Sequence, residues 1–139
     1  MFKAIFFLKR KPGITHEQFR QHYESSHVKL ADKYLGHLMT GYVRNYRTTV
    51  RGSRSLGRQA AQWDYDCITE WALPGEAELE EIYRLFADPV IGKAFYDDEE
   101  HFLDRDATLV IHCKEGDVVD TGVGDGHLTL QLLGKREST

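Results

Sequence analysis

Apolar and polar positions along this chain switch between two periods. Residues 3–9, KAIFFLK, form a short apolar, aromatic-rich run that reads as a strand covered on both faces. Pro12-Gly13 turns the chain, and from Thr15 the period becomes helical. Phe19, Tyr23, Ser26 and Leu30 recur at i, i+4, i+7 and i+11 along one stripe. Thr15 is placed to cap this helix, Gln18 completes a capping box, and Ile14 with Phe19 makes the hydrophobic staple. The pattern carries the helix to about Leu38, with a break near Asp32 or Gly36, and Gly41 ends it.

Three further strands and a second helical region follow. Tyr42–Val50 and Tyr65–Leu73 are rich in β-branched and aromatic residues. Between them residues 50–61, VRGSRSLGRQAA, read as a loop. After the Pro74-Gly75 turn, Leu79, Ile82, Tyr83 and Phe86 repeat at helical spacing. Asp88 caps a new helix with Pro89 at its first position, and that helix is expected to bury Ile91, Phe95 and Phe102. Ala107–Lys114 is the last strand of the domain. The order β-α-β-β-α-β is that of an α+β ferredoxin-like sandwich. Residues 1–115 then form one domain and 116–139 a tail. Within the tail Leu128, Leu130 and Leu132 alternate with polar residues, as in a short strand reaching across a dimer. The glycines of residues 122–126 lack the strand-before and helix-after context of a phosphate loop.

Both helices on one face of a four-stranded sheet leave the other face bare, and a second copy covering it would make a dimeric α+β barrel with a cavity in each subunit. Alternation indicates which side chains point there. In the third strand Tyr65, Cys67, Thr69 and Trp71 share one face, and Asp66, Ile68 and Glu70 the other. The wholly apolar set Leu109, Ile111 and Cys113 suits the helix side, which turns Val110 and His112 toward the cavity. Asp66, Ile68 and Glu70 join them if Cys67 packs with Cys113 under the helices. For the second strand the pattern leaves open whether Tyr42, Arg44 and Tyr46 or Val43 and Asn45 point inward.

Composition narrows the classes. At 139 residues the chain is long enough for one domain with a real core. No apolar run approaches the ~20 residues of a membrane span. The apolar start is too short for a signal-peptide core, and two cysteines make no disulfide framework, so a cytoplasmic protein with free buried thiols is expected. Residues 1–62 carry twelve Lys/Arg against three Asp/Glu, and the remainder carries six against nineteen. The basic residues are scattered over strand, helix and loop without a nucleic-acid motif, so two oppositely charged halves packing together explain them better than nucleic-acid binding.

The opening KRKPG–xT–xEQFRxHYExxH resembles the signature of the EthD family, within the dimeric α+β barrels, and DDEEHFLDRD near the end extends the match. The resemblance spans roughly residues 3–115. Both ends look most like the EthD-domain proteins of fungal aromatic-polyketide pathways, often called dehydratases. The resemblance implies a homodimer with a small-molecule cavity, and it marks His27 as a functional histidine.

The candidate residues are those that can move protons. His27 lies on the border of the helical stripe, where one ring nitrogen can bond the protein and the other can face a cavity. His22 is expected to pack or cap, and His22 and His27, five apart, do not share a helix face well, which counts against a metal site between them. Asp66 and Glu70 are carboxylates on one strand face, able to act as bases or to orient a histidine. His101 follows the acidic run Asp97–Glu100, which favours its protonated, acid form. Catalysis is assigned to His27, Asp66 and His101, and the substrate pocket to Tyr23, Tyr46, Glu70, Phe95 and His112. No dinucleotide fingerprint, flavin motif, nucleophile elbow or helical metal-ligand pair occurs, so the expected chemistry needs neither cofactor nor metal. A dehydratase or cyclase is the leading expectation. A cofactor-independent oxygenase of the same fold and a non-catalytic small-molecule carrier are the alternatives.

Overall fold

The structure is a computed structural model that describes residues 1–54 and 63–122. Strand β1 is Phe2–Leu8; helix α1 is His16–His22; a π-helical turn spans Tyr23–His27; α2 is Val28–Leu35, followed by a 3₁₀ turn at Gly36–Leu38. Then come β2 (Gly41–Tyr46), β3 (Cys67–Leu73), α3 (Glu76–Phe86), α4 (Pro89–Glu99) and β4 (Leu109–Lys114). The sheet is antiparallel with order β2-β3-β1-β4, and its helices lie on one face, which is the ferredoxin-like arrangement. Among the described residues no helix is long and apolar enough to cross a membrane.

Local chemistry accounts for the element boundaries. Gly13 takes φ +92° in the turn after β1, a conformation open to glycine. Thr15 Oγ1 accepts from the Gln18 amide at 3.0 Å, and Gln18 returns the bond to Thr15 N at 2.8 Å, completing the capping box. Asp88 accepts from the amides of Val90 and Ile91, and Pro89 opens α4. Gly92 lets α4 pass close to the end of α3: a Cβ there would meet the Phe86 carbonyl oxygen at 2.3 Å.

The α-helix gives way to the 3₁₀ turn at Gly36, one of the two places the pattern indicated, and it is also interrupted earlier, at the π turn. There the Val28 N–H bonds to the Tyr23 carbonyl, five residues back. The wider turn moves the core face by one position. Phe19, Tyr23, Ala31 and Leu35 are buried, whereas Leu30 is only partly so. Ser26, expected on the core stripe, instead bonds Asp98.

Strand register corrects the expected faces. Ala4 is fully buried under the helices and pairs with Trp71 on one side and His112 on the other. Val110 and His112 therefore face the helices, and Leu109, Ile111 and Cys113 point to the bare face opposite Phe7, Ile5 and Lys3. Cys67 packs in the core without Cys113, and Cys113 is only half-buried. Glu70 lies on the bare face. In β2, Tyr42, Arg44 and Tyr46 point to the helix side, opposite Trp71, Thr69 and Cys67. The expected strand at residues 128–132 and the end of the glycine segment at 123–126 lie outside the described residues.

Two apolar clusters share the helix side. One gathers around Ala4, Leu35, Trp71, Leu73, Ile82 and Phe95. The other gathers around Leu8, Phe19, Tyr23, Cys67 and Phe102. Phe102 is fully buried against Phe19, Tyr23, His22 and His27. Phe102→Ala should therefore cost about 3–5 kcal/mol in urea unfolding, a deletion from a packed interior, whereas loss of the exposed cap in Thr15→Ala should cost about 1 kcal/mol.

Candidate functional site

Between the sheet and the helices lies a cavity of about 240 Å³. It belongs to one chain and sits on the helix side, so the expected cavity over the bare face is not where the pocket lies. Phe6, Tyr42, Thr69 and Trp71 of the sheet form its floor. Tyr23, His27, Phe86, Phe95 and, at the end of α4, Glu99 close it from the helices, and Leu103, Arg105 and Thr108 line it from the chain between α4 and β4.

His27 is held in the wall of this cavity by Asp98. Its Nδ1 lies 2.8 Å from Asp98 Oδ2, and its ring is packed edge-on or tilted against Tyr23, Phe95 and Phe102. Asp98 also accepts from Ser26 Oγ at 2.6 Å and faces His22 Nε2 at 3.1 Å. Burial alone would raise the Asp98 pKa, but the hydrogen bonds from His27 and Ser26, with the histidine charges, bring it down to about 2. The carboxylate is thus ionised across the neutral range and can only accept. Facing this acceptor, His27 carries a proton on Nδ1, so its neutral form has the lone pair on Nε2, the tautomer of a general base.

The floor supplies neutral polar groups. Tyr23 Oη shares hydrogen bonds with Tyr42 Oη at 2.9 Å and Thr69 Oγ1 at 2.7 Å. Burial holds the Tyr42 phenol up at about 12, and raises Tyr23 well above its ordinary value, so both remain protonated donors. The Trp71 indole N–H is buried with no hydrogen-bond partner among the described residues. Arg105 at the mouth is bound by both Glu99 and Glu100, so its positive charge is more than offset locally.

Of the residues chosen from sequence, His27, Tyr23 and Phe95 line the cavity and the rest do not. Asp66 sits just before β3, where strand alternation does not govern it. It is buried and accepts from the Arg10 amide at 2.8 Å, with His16 Nδ1 at 2.9 Å, so it ties down the turn after β1. Glu70 pairs with Lys3 on the bare face. His101 lies in the turn after α4, stacked on His22 with ring centroids 5.3 Å apart, over an open cleft outside the cavity. His112 faces the helix side at the sheet edge and bonds Tyr83 Oη at 2.9 Å. Tyr46 donates to Glu24 under the Arg20 guanidinium.

Asp98, Tyr42, Thr69 and Trp71 are the site residues that sequence reasoning missed. Asp98 stands in the acidic run Asp97–Glu100, which enters the sequence reading only through its effect on His101. Its spacing gave a signal: Ile91, Phe95, Asp98 and Phe102 recur at i, i+4, i+7 and i+11, which puts one carboxylate of the run on the apolar stripe. Among the described residues no group of three or more His, Cys, Asp or Glu is placed to hold a metal.

Fold and site together define a ferredoxin-like α+β domain with a carboxylate-held histidine in an aromatic cavity. The chain belongs to the EthD-domain family, whose domain matches residues 11–106. Among solved structures it is similar to At3g17210 from Arabidopsis thaliana, with a TM-score of 0.56 at 16% identity over 86% of this chain and 99% of that one. It is also similar to Atu4242 from Agrobacterium tumefaciens, described as a nipsnap family protein with unknown function, with a TM-score of 0.55 at 17% identity over 86% of this chain and 91% of that one. At these identities the likeness shows the fold. No curated protein gives a significant match.

Asp98 ties the site to acid stability. Its folded pKa of about 2 lies below the ordinary 3.8, so it stabilises the fold above about pH 4 and loses that contribution as pH falls toward 2. Asp98→Asn should be less stable than the parent at pH 6 in urea melts, and the gap should narrow steadily between pH 4 and 2.

Proposed function

We propose that this protein is a cofactor-independent lyase, a dehydratase or cyclase acting on an aromatic, polyketide-type small molecule. The observation that carries the reading is the His27–Asp98 pair in the wall of an otherwise aromatic cavity. A non-catalytic carrier has no use for a histidine whose tautomer is fixed with its lone pair free.

The chemistry follows from the groups present. His27 Nε2 takes the acidic proton beside a substrate carbonyl, and the Asp98 carboxylate stabilises the imidazolium that forms. The electron pair moves into the carbonyl as an enolate. The Trp71 N–H and the phenols of Tyr23 and Tyr42 are the donors available to that oxygen. His27 then returns its proton to the departing β-hydroxyl, the C–O bond breaks, and water leaves as the ring gains unsaturation. Apolar walls keep bulk water from competing for the charges.

The reading includes a homodimer. Ile5, Phe7, Val43, Leu109 and Ile111 form an apolar bare face, with Val43, Leu109 and Ile111 exposed. A second copy of the sheet is the occupant that suits it, since monomers seldom leave apolar side chains so grouped in water, here interrupted by the Lys3–Glu70 pair. Residues 1–115 constitute the domain, and 116–139 a tail available to cross to the partner.

His27→Ala should lower turnover of a β-hydroxy ketone substrate by about two to four powers of ten, measured beside a thermal melt; full turnover in the variant would exclude His27 as the base. Light scattering at micromolar concentration should give a dimer. Ile111→Glu, which puts a charge in the bare face, should give a folded monomer.

A further inference from the structure

Asp98 serves two imidazoles, and the proposed chemistry uses only one. His22 Nε2 approaches Oδ1 at 3.1 Å, while His27 Nδ1 approaches Oδ2 at 2.8 Å. The π turn makes this possible. Five residues of regular α-helix rotate a side chain by about 500°, leaving the two histidines about 140° apart. The Val28-to-Tyr23 bond of the π turn accommodates one residue more per turn, and both rings reach the same carboxylate. The expectation that these histidines share no face is overturned by that one turn.

We propose that His22 is a positioning residue for His27: it steadies the shared carboxylate, and its own protonation sets how strongly Asp98 supports a proton on His27. One carboxylate stabilises one imidazolium fully or two in part, because the second positive charge repels the first across it. With His22 neutral, Asp98 acts on His27 alone. With His22 protonated, His27 binds its proton less tightly and is a weaker base.

The surroundings leave this coupling exposed. Around His22 the titratable neighbours are Asp98 on α4 and His101 in the turn after it. Around His27 they are Asp98, Tyr23, and at the cavity mouth Glu99 and Arg105, which pair with each other. The His22 side chain is 26% exposed against 14% for His27, so the outer ring meets solvent protons more readily.

This inference rests on reading His27 as the base, but its test follows the ring and not turnover, so either can fail alone. Ring Cε1–H signals of the full chain would be followed by NMR from pH 4 to 9 in wild type, His22→Gln and His101→Gln. Glutamine keeps one N–H for Asp98 without titrating. In wild type, the His27 curve should show a second inflection at the His22 midpoint. In His22→Gln it should become a single step whose midpoint rises by roughly one pH unit. His101→Gln should keep both inflections. A His27 curve identical in wild type and His22→Gln would overturn the coupling and leave His22 a packing residue. Should His22→Gln fail to fold, wild type decides by itself: two independent single-step curves for His22 and His27 would overturn it equally.

Discussion

A largely enclosed carboxylate must be well hydrogen-bonded to remain charged, and Asp98, its side chain 12% exposed, meets that demand with donors from one stretch of helix. Ser26, His22 and His27 all come from the segment around the π turn, whereas Asp98 comes from α4. The two helical layers are therefore fixed at that point by polar contacts rather than by packing alone. Phe95 on α4 and Phe102 in the turn after it pack against the His27 ring that Asp98 holds. The cavity is what remains between this joint and the aromatic floor of the sheet. Removing any one donor would leave a charge in a poorly solvating place, which is costlier than the bond itself.

The secondary elements were legible in the sequence because each had a local cause. Thr15 with Gln18, Asp88 with Pro89, and the run Leu79, Ile82, Tyr83, Phe86 set helix starts and faces without help from the rest of the chain. The faces of β3 were legible, but those of β2 and β4 were not, for a physical reason. A sheet that is apolar on both sides gives alternation no sign: Leu109, Ile111 and Cys113 look as much like core as their neighbours do. Only register decides, through Ala4, whose methyl allows no exposure and which lies opposite His112. The π turn has no residue signature at all, and its extra residue displaced the inferences made by counting past Tyr23. Asp66 misled for a third reason, since it stands one residue outside the strand whose alternation was applied to it.

The electrostatic character of the cavity follows from what is neutral in it. Phenols held protonated by burial, an unpaired indole N–H and aromatic walls present donors and faces but no net charge to a ligand. In such surroundings a single ion pair formed during proton transfer interacts more strongly than it would in water. At the mouth one guanidinium, Arg105, is shared by two carboxylates, Glu99 and Glu100, so that rim is net negative while the interior is neutral.

The two free cysteines divide the molecule between them. Burial pushes the Cys67 thiol up to about 11, beneath the helices and beside Thr69, whereas Cys113 lies half-buried on the opposite face of the sheet. A thiol so placed reacts as thiolate only when the layer above it lifts. Cys67 is thus a native reporter of separation between helices and sheet, and Cys113 of whether the far face is covered. Alkylation rates at the two positions would read these motions separately, with no label introduced into either.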